Sequence, residues 1–358
     1  MTKSLAFFVS HHGFGHAARA CAAIEALYSI SPELEIHIFS IAPEWFFRQS
    51  LNGKFTYHPY RVDVGLIQKT SFEEDIPATI TQLQSDLPYN SFSIKPIVHE
   101  LNKLNCAGIV CDIAPIGILI AQQLGIPSFL IENFTWDWIL SGYVNEYPEL
   151  KEFIDYYHTL FPQAAYHVQS DPVCLKGRAD INIAPISRKP KNSPNEVRNR
   201  LKIPHKNRIV VFSVAENNGL IRNDFDTPLS RNISIIWITP AIPSNLPVNV
   251  IPLSPRSDFY HPDLIQAADA LIAKAGYSTL AEAYQFGVPY GFILRDKFPE
   301  STVLHQYLLT HRLGKQITKQ DLSTPVWLKH LEELLAMPKR PRQVNDAEVL
   351  AQFILARI

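Results

Sequence analysis

Three short runs carry side chains whose types and spacing suit chemistry. The first, His11-His12-Gly13-Phe14-Gly15-His16, sets three histidines beside two glycines. Imidazoles change charge near neutral pH and serve as proton acceptors, and glycine lets backbone or ligand approach closely. The second, Cys111-Asp112-Ile113-Ala114-Pro115, ends an apolar run in a carboxylate. A carboxylate bonded to an imidazole fixes its tautomer and raises its basicity, as deprotonation of a hydroxyl requires. On spacing alone Asp112 is equally suited to capping the helix that follows. The third is Lys274-Ala275-Gly276-Tyr277-Ser278-Thr279-Leu280-Ala281-Glu282. There a Gly turn delivers Ser278 and Thr279 to a helix start, where free N–H groups and the helix dipole suit a diphosphate. Glu282 lies one helical turn beyond Ser278 on the same face, placed to accept hydrogen bonds from a ribose diol. Downstream, Arg295, Asp296, Glu300 and Gln306 form a polar set that suits sugar hydroxyls or, equally, a charged loop.

These runs must be held by strand ends and helix starts, and the surrounding pattern supplies them. Leu5 to Val9 reads as a buried strand, His12 to Gly15 as a turn, and His16 to Ile30 as a helix periodic through Ala20, Ile24 and Leu27. Leu34 to Ser40 is a second strand; Gly108 to Cys111, Ile116 to Leu124 and Pro127 to Ile131 form a further βαβ unit. The segment Ile183 to Asn195, with Pro185, Arg188, Lys189, Pro190 and Lys191, has the composition of a linker. Ser193-Pro194-Asn195-Glu196 then combines an N-cap, a Pro at the first helical position and a capping-box Glu. Strands are expected at Ile209 to Ser213, Ile233 to Ile238, Asp269 to Ala273 and Tyr290 to Leu294, with helices at Thr279 to Phe286, Thr302 to Leu309 and Glu348 to Ile358. The expectation is an α/β chain of two Rossmann-like domains, 1–187 and 188–340, facing a central cleft, followed by a C-terminal helix over 341–358.

Composition narrows the partners. The 358 residues exceed one ordinary core. Lys plus Arg is 33 against 34 for Asp plus Glu, a net charge of −1, so no global field favours nucleic acid or an anionic membrane. The four cysteines, Cys21, Cys106, Cys111 and Cys174, sit in apolar stretches without metal-type spacing, as thiols of a reducing, cytoplasmic compartment would. The apolar tract Ala107 to Ile131 is interrupted by Asp112, Pro115, Gln122, Gln123 and Pro127 and reads as strand, helix and strand, not as a membrane span. No export signal is expected from the opening residues. Gly13, Gly15 and Ala18 fit a loose dinucleotide-binding pattern, but the second strand ends at Ser40 and Ile41 without the acidic residue that pattern requires, and Glu44 comes late. Trp136, Trp138, Tyr143, Tyr147, Tyr156 and Tyr157 suit an acceptor surface or, more simply, core packing.

In these runs the chain resembles nucleotide-sugar glycosyltransferases of the GT-B superfamily, and most closely the glycosyltransferase-like amino-terminal part of plant L-arabinokinases and related bacterial proteins. The resemblance runs through nearly the whole chain, on His12 to Ala17, Cys111-Asp112, Asn133-Phe134-Thr135-Trp136-Asp137, Gly276 to Ala283, Arg295-Asp296 and Phe298. No sugar-kinase domain is seen to follow. The resemblance implies a catalytic pair of His16 and Asp112, with Gly15 beside the donor. It implies donor contacts at Lys274, where the family has a phosphate-contacting His, and at Gly276, Ser278, Thr279 and the ribose-binding Glu282. Lysine meets a diphosphate as a point charge. The family's donor-sugar pair corresponds only roughly to Glu300, with Arg295 nearby. Val214 to Gly219 replaces the family's Gly-rich turn and puts Glu216 where an anion would sit.

The implied reaction is transfer of a sugar, with inversion and without metal or cofactor, from a nucleotide sugar, UDP-type in this family, to a small-molecule, glycan or lipid-linked hydroxyl. Helix N–H groups and Lys274 would carry the leaving-group charge. Glu216 keeps open a non-catalytic nucleotide-sugar sensor or partner subunit, and the two-domain plan keeps open a nucleotide-sugar epimerase.

Overall fold

The computed structural model describes residues 3–214, 235–239, 248–254, 256–322, 324 and 326–358. Of the turn Val214 to Gly219, all but Val214, and so Glu216, lie outside them, as do the first two residues of the strand expected at Ile233 to Ile238. Nine strands come first: β1 (Ser4–Val9), β2 (Glu35–Ser40), β3 (Phe55–Pro59), β4 (Gln68–Thr70), β5 (Glu73–Glu74), β6 (Cys106–Asp112), β7 (Ser128–Glu132), β8 (Tyr166–Ser170) and β9 (Ile181–Ile183). Seven of them form a parallel sheet ordered β3-β2-β1-β6-β7-β8-β9, and β4 pairs β5 antiparallel. After the helix Pro194–Arg200, capped by Ser193 with Glu196 reciprocating, come β10 (Arg208–Ser213), β11 (Ile235–Thr239), β12 (Val250–Pro252), β13 (Ala270–Lys274), β14 (Tyr290–Ile293) and β15 (Gly314–Gln316). These make a second parallel sheet, ordered β12-β11-β10-β13-β14-β15. The boundary expected at 187/188 falls between β9 and the helix Pro194–Arg200.

Each central strand is an unbroken apolar run because helices cover both of its faces. Leu5, Ala6, Phe7, Phe8 and Val9 are all fully buried, Phe8 in one core and Phe7 in another on the opposite face of the sheet. The closing helix Ala347–Leu355 crosses back to the first sheet, where Leu350 and Ile354 share a core with Ala23 and Leu27. Cys21, Cys106 and Cys111 are buried free thiols, and Cys174 is half-buried. Among the described residues no helix is long and apolar enough to cross a membrane.

Strand order positions the site. In the first sheet the direction of winding reverses between β1 and β6, and in the second between β10 and β13. Open α/β sheets bind ligands at the carboxyl ends of the strands flanking such a reversal. The register sets Val9 beside Asp112 at one reversal and Ser213 beside Ala273, next to Lys274, at the other.

Candidate functional site

Both reversals open on one cavity of about 470 Å³, lined by His12 to His16 and Arg19 from the first half and by Lys274, Gly276 to Thr279, Glu282, Arg295 and Glu300 from the second. The first loop is tighter than the sequence suggests, since the helix begins at Phe14 and takes Gly15 and His16 into its first turn. Gly13 makes this possible: at φ 74°, ψ −179° it occupies a region essentially reserved for glycine, and no side chain caps the helix it starts.

His16 Nδ1 lies 2.8 Å from Asp112 Oδ1. A carboxylate only accepts, so Nδ1 carries the proton and Nε2 the lone pair. Arg19, three residues further along the same helix face, donates from Nε to Asp112 Oδ2 at 2.8 Å and from Nη2 to Oδ1 at 2.7 Å. Its Nη1 reaches Asn133 Oδ1 at 2.8 Å. Burial alone would raise the Asp112 pKa, but the charge and hydrogen bonds of Arg19, joined by His16, outweigh it and hold the carboxyl below its usual value. Asp112 does not cap the following helix, Ile116–Leu124, which has no side-chain cap.

Across the cavity the helix Tyr277–Phe286 also starts two residues earlier than expected, after Gly276 and with no side-chain cap. A Cβ added to Gly15 would stand 3.8 Å from Ser278 Oγ, so two uncapped helix N-termini approach each other across the cleft. Partially positive N–H groups from both halves thus converge on one space. Lys274 Nζ donates to the Ser71 carbonyl at 3.1 Å. Burial and the nearby Arg295 charge lower its pKa to about 8, against the opposing pull of Glu300 and Glu74.

The remaining second-half groups each have a first-half or linker partner, and Glu282 has a second-half partner as well. Glu282, 1% exposed, accepts from Arg188 Nε and Nη2 at 3.0 and 2.9 Å, and its other oxygen lies 3.1 Å from His261 Nδ1. Burial works against its ionisation, yet Arg188 and His261 keep its pKa below normal. Arg295 donates to Glu74 at 3.1 Å, and Glu300 accepts from Asn133 Nδ2 at 2.8 Å. Asp296 pairs with Lys319 outside the cavity, Gln306 is exposed, and Glu44 bonds Arg48 on its own helix. None of Trp136, Trp138, Tyr143, Tyr147, Tyr156 and Tyr157 lines the cavity; Trp136, Tyr143 and Tyr157 are core residues and the others pack on that core. The cavity's aromatic walls include instead Phe14, Trp45, Phe46, Phe134, Phe259 and Phe298.

Sequence reasoning missed Arg19, Asn133, Arg188 and His261. The helical i, i+3 spacing from His16 was a signal for Arg19. Arg188 reads in sequence as a solvated linker charge; the structure buries it instead, because it spans Glu282 and Ser50 and lies over the rings of Phe46 and Tyr260.

No family model matches the chain. It is similar to the L-arabinokinase of Arabidopsis thaliana, 25% identical over 98% of this chain and 34% of the relative. A shorter match, 31% identical over 26% of the chain and 28% of the relative, is to the UDP-N-acetylglucosamine--N-acetylmuramyl-(pentapeptide) pyrophosphoryl-undecaprenol N-acetylglucosamine transferase of Pseudothermotoga lettingae. The chain thus spans about a third of the length of the curated relatives it matches. Among solved structures it is similar to the glycosyltransferase VinC in complex with dTDP, with TM-score 0.61 and 14% identity over 99% of this chain and 94% of that one. MurG of Acinetobacter baumannii gives TM-score 0.54 and 14% identity over 99% of each chain. The fold of this chain is GT-B, two Rossmann-like units whose sheet reversals face a shared cleft.

Proposed function

We propose that the protein is a glycosyltransferase that takes a sugar from a nucleoside diphosphate donor and delivers it to a hydroxyl, with inversion and without a metal ion. The observation that carries this reading is the convergence in one cavity of a His–Asp pair with a free Nε2 and an uncapped helix start beside Lys274. In this reading His16 Nε2 takes the proton of the acceptor hydroxyl as its oxygen attacks the anomeric carbon. Asp112 orients the ring and stabilises the imidazolium that forms. The leaving diphosphate departs toward Ser278, Thr279 and Lys274, where N–H dipoles and one ammonium meet its growing charge. Glu282 keeps one lone-pair site beyond the three used by Arg188 and His261 and accepts there from one ribose hydroxyl; Arg295 and Glu300 face the sugar, and Gly15 leaves room for it. The likeness to VinC bound to dTDP and the match to an N-acetylglucosamine transferase support a nucleotide-sugar donor.

Arg19 modifies the pair. Two strong donors from Arg19 already engage both oxygens of Asp112 and hold the carboxylate in place against His16. The pair then serves to fix the tautomer and orientation of the His16 ring.

Incubation with UDP- and dTDP-sugars, with and without a panel of hydroxyl acceptors, tests the proposal. Acceptor-dependent release of nucleoside diphosphate with inverted product is expected. Binding without release under any acceptor would leave a sensor, and a new sugar epimer formed without acceptor, seen by NMR, would leave an epimerase.

A further inference from the structure

His12 takes no part in the reaction just described, although it lies four residues before His16 and lines the same cavity. Its Nδ1 sits 3.0 Å from the carbonyl oxygen of Leu66. The Leu66 N–H also lies 3.4 Å from this nitrogen, but the shorter contact is to a carbonyl, which only accepts, so Nδ1 carries the proton and Nε2 is left with a lone pair. The ring is fixed on two more sides, stacked at 15° on Phe298 with centroids 6.0 Å apart and edge-on to Trp136 at 5.4 Å. Gly65, beside Leu66, has φ 64°, and a Cβ there would stand 3.2 Å from His12 Cβ, so a glycine permits the approach that locks the ring. Nε2 is buried and has no hydrogen-bond partner among the described residues. A buried acceptor left unpaired is an exception that needs a reason, and Arg295 Nε, from the facing wall of the same cavity, is likewise buried without a partner among the described residues.

We infer that His12 Nε2 accepts a hydrogen bond from one hydroxyl of the transferred sugar and selects donors that carry it. This rests on the nucleotide-sugar reading above. The diphosphate is excluded as its partner because phosphate oxygens, like a bare imidazole nitrogen, only accept. Burial, with the charges of Arg295, His16 and Lys274, lowers the pKa of His12 well below normal, so the ring stays neutral and Nε2 stays an acceptor. Phe298, on which the ring stacks, lies in the loop between Arg295 and Glu300, on the sugar side of the proposed donor site. A pocket built to take a particular hydroxyl rejects the analogue lacking it, because its own polar atom is then stranded.

The test is calorimetric titration of UDP, dTDP and their glucose conjugates into the wild-type chain, His12→Phe and His12→Gln. His12→Phe keeps a ring against Phe298 and removes the acceptor; His12→Gln returns an acceptor oxygen. All three chains are expected to bind the free diphosphate within about twofold of one another, which also certifies their fold. The glucose conjugate is expected to bind about tenfold more weakly to His12→Phe, with partial recovery in His12→Gln. Among 2-, 3-, 4- and 6-deoxyglucose conjugates, one is expected to weaken wild-type binding yet cost nothing further in His12→Phe, the non-additivity of a direct contact. Equal loss for diphosphate and conjugate, conjugate binding unchanged in His12→Phe, or additive losses at every deoxy position would overturn the inference and leave the nucleotide-sugar reading standing. A wild-type chain that binds none of these ligands would overturn that reading itself.

Discussion

The two walls of the cleft are built on opposite plans. The first-half wall is complete within its own unit: Asp112 bonds His16 and Arg19, and Arg19 bonds Asn133, all from the first sheet and its first helix. The second-half wall borrows its partners, with Lys274 bonding Ser71, Arg295 bonding Glu74, Glu300 bonding Asn133 and Glu282 bonding Arg188 of the connecting segment. The His16–Asp112 pair therefore needs no partner from the second unit, whereas Lys274, Arg295 and Glu300 each bond across the cleft, and Glu282 also has a partner, His261, in its own unit. In two-domain enzymes closure of this kind excludes water and commits the donor. Asn133 belongs to both plans, since its Oδ1 serves Arg19 and its Nδ2 serves Glu300.

The largest effects should come from breaking the self-contained wall. Asp112→Ala would leave the Arg19 guanidinium, 1% exposed, without its counter-ion. Removing one partner of a buried ion pair costs about 3–5 kcal/mol, and a lower denaturation midpoint with unchanged m-value would register it. An effect under about 1 kcal/mol would mean that Arg19 finds water or another carboxylate, and that this wall is not preassembled. His16→Ala, by contrast, leaves Asp112 still neutralised by Arg19, so no buried charge is left unpaired. Stability should hardly move, while transfer falls by about 10²- to 10⁴-fold, the usual worth of a general base, at unchanged affinity for nucleoside diphosphate. Full residual activity would remove His16 as the base.

The same contrast explains what could be read from the sequence. Strands β1, β6 and β13 were legible because parallel strands covered on both faces are continuous apolar runs, and the three site segments were legible because each follows such a strand. β3, half-buried at the sheet edge, and the hairpin of the three-residue β4 and two-residue β5 gave no comparable pattern. The helix Ser91–Lys103 carries Pro96 in its interior, which local rules take for a boundary. The groups that hold the candidate site's side chains were hidden for a different reason. Arg19 is 93 positions from Asp112, Arg188 is 94 from Glu282, and Asn133 is 167 from Glu300, so only the assembled sheets bring them together. Local spacing revealed which residues could do chemistry; their partners required topology.

Lys274 sharpens the comparison through pH. With a pKa near 8 it loses its proton in the folded chain while the unfolded chain keeps it to about 10.5. Between these values the unfolded state binds more protons, so the contribution of Lys274 to stability rises with pH. Affinity for a nucleoside diphosphate should move the other way, falling above about pH 8, by at most about tenfold per unit, as the ammonium is lost. Lys274→Met should abolish both slopes and weaken binding at pH 7; calorimetry and unfolding across pH 7 to 10 would separate the two. A pH-independent wild-type affinity would mean that the helix N–H groups alone hold the diphosphate.

The smallest effect tests whether the two walls communicate. Asn133→Ala breaks the links from Arg19 and to Glu300 together, and each is a charge-assisted hydrogen bond worth about 1.5–3 kcal/mol at most, with neighbours able to compensate. Asp112 still neutralises Arg19, and Arg295 Nη2 still stands 3.7 Å from Glu300. Stability should therefore fall by only about 1–2 kcal/mol. If Asn133 joins base and donor site, the loss should be larger in kcat than in nucleotide affinity, because only transfer needs both walls in register. A double-mutant cycle of Asn133→Ala with Glu300→Gln decides the matter: coupling of about 0.5 kcal/mol or more in the transfer rate marks a working link. Strict additivity would reduce Asn133 to a local support for Arg19, and the two walls to neighbours that share a cavity and nothing else.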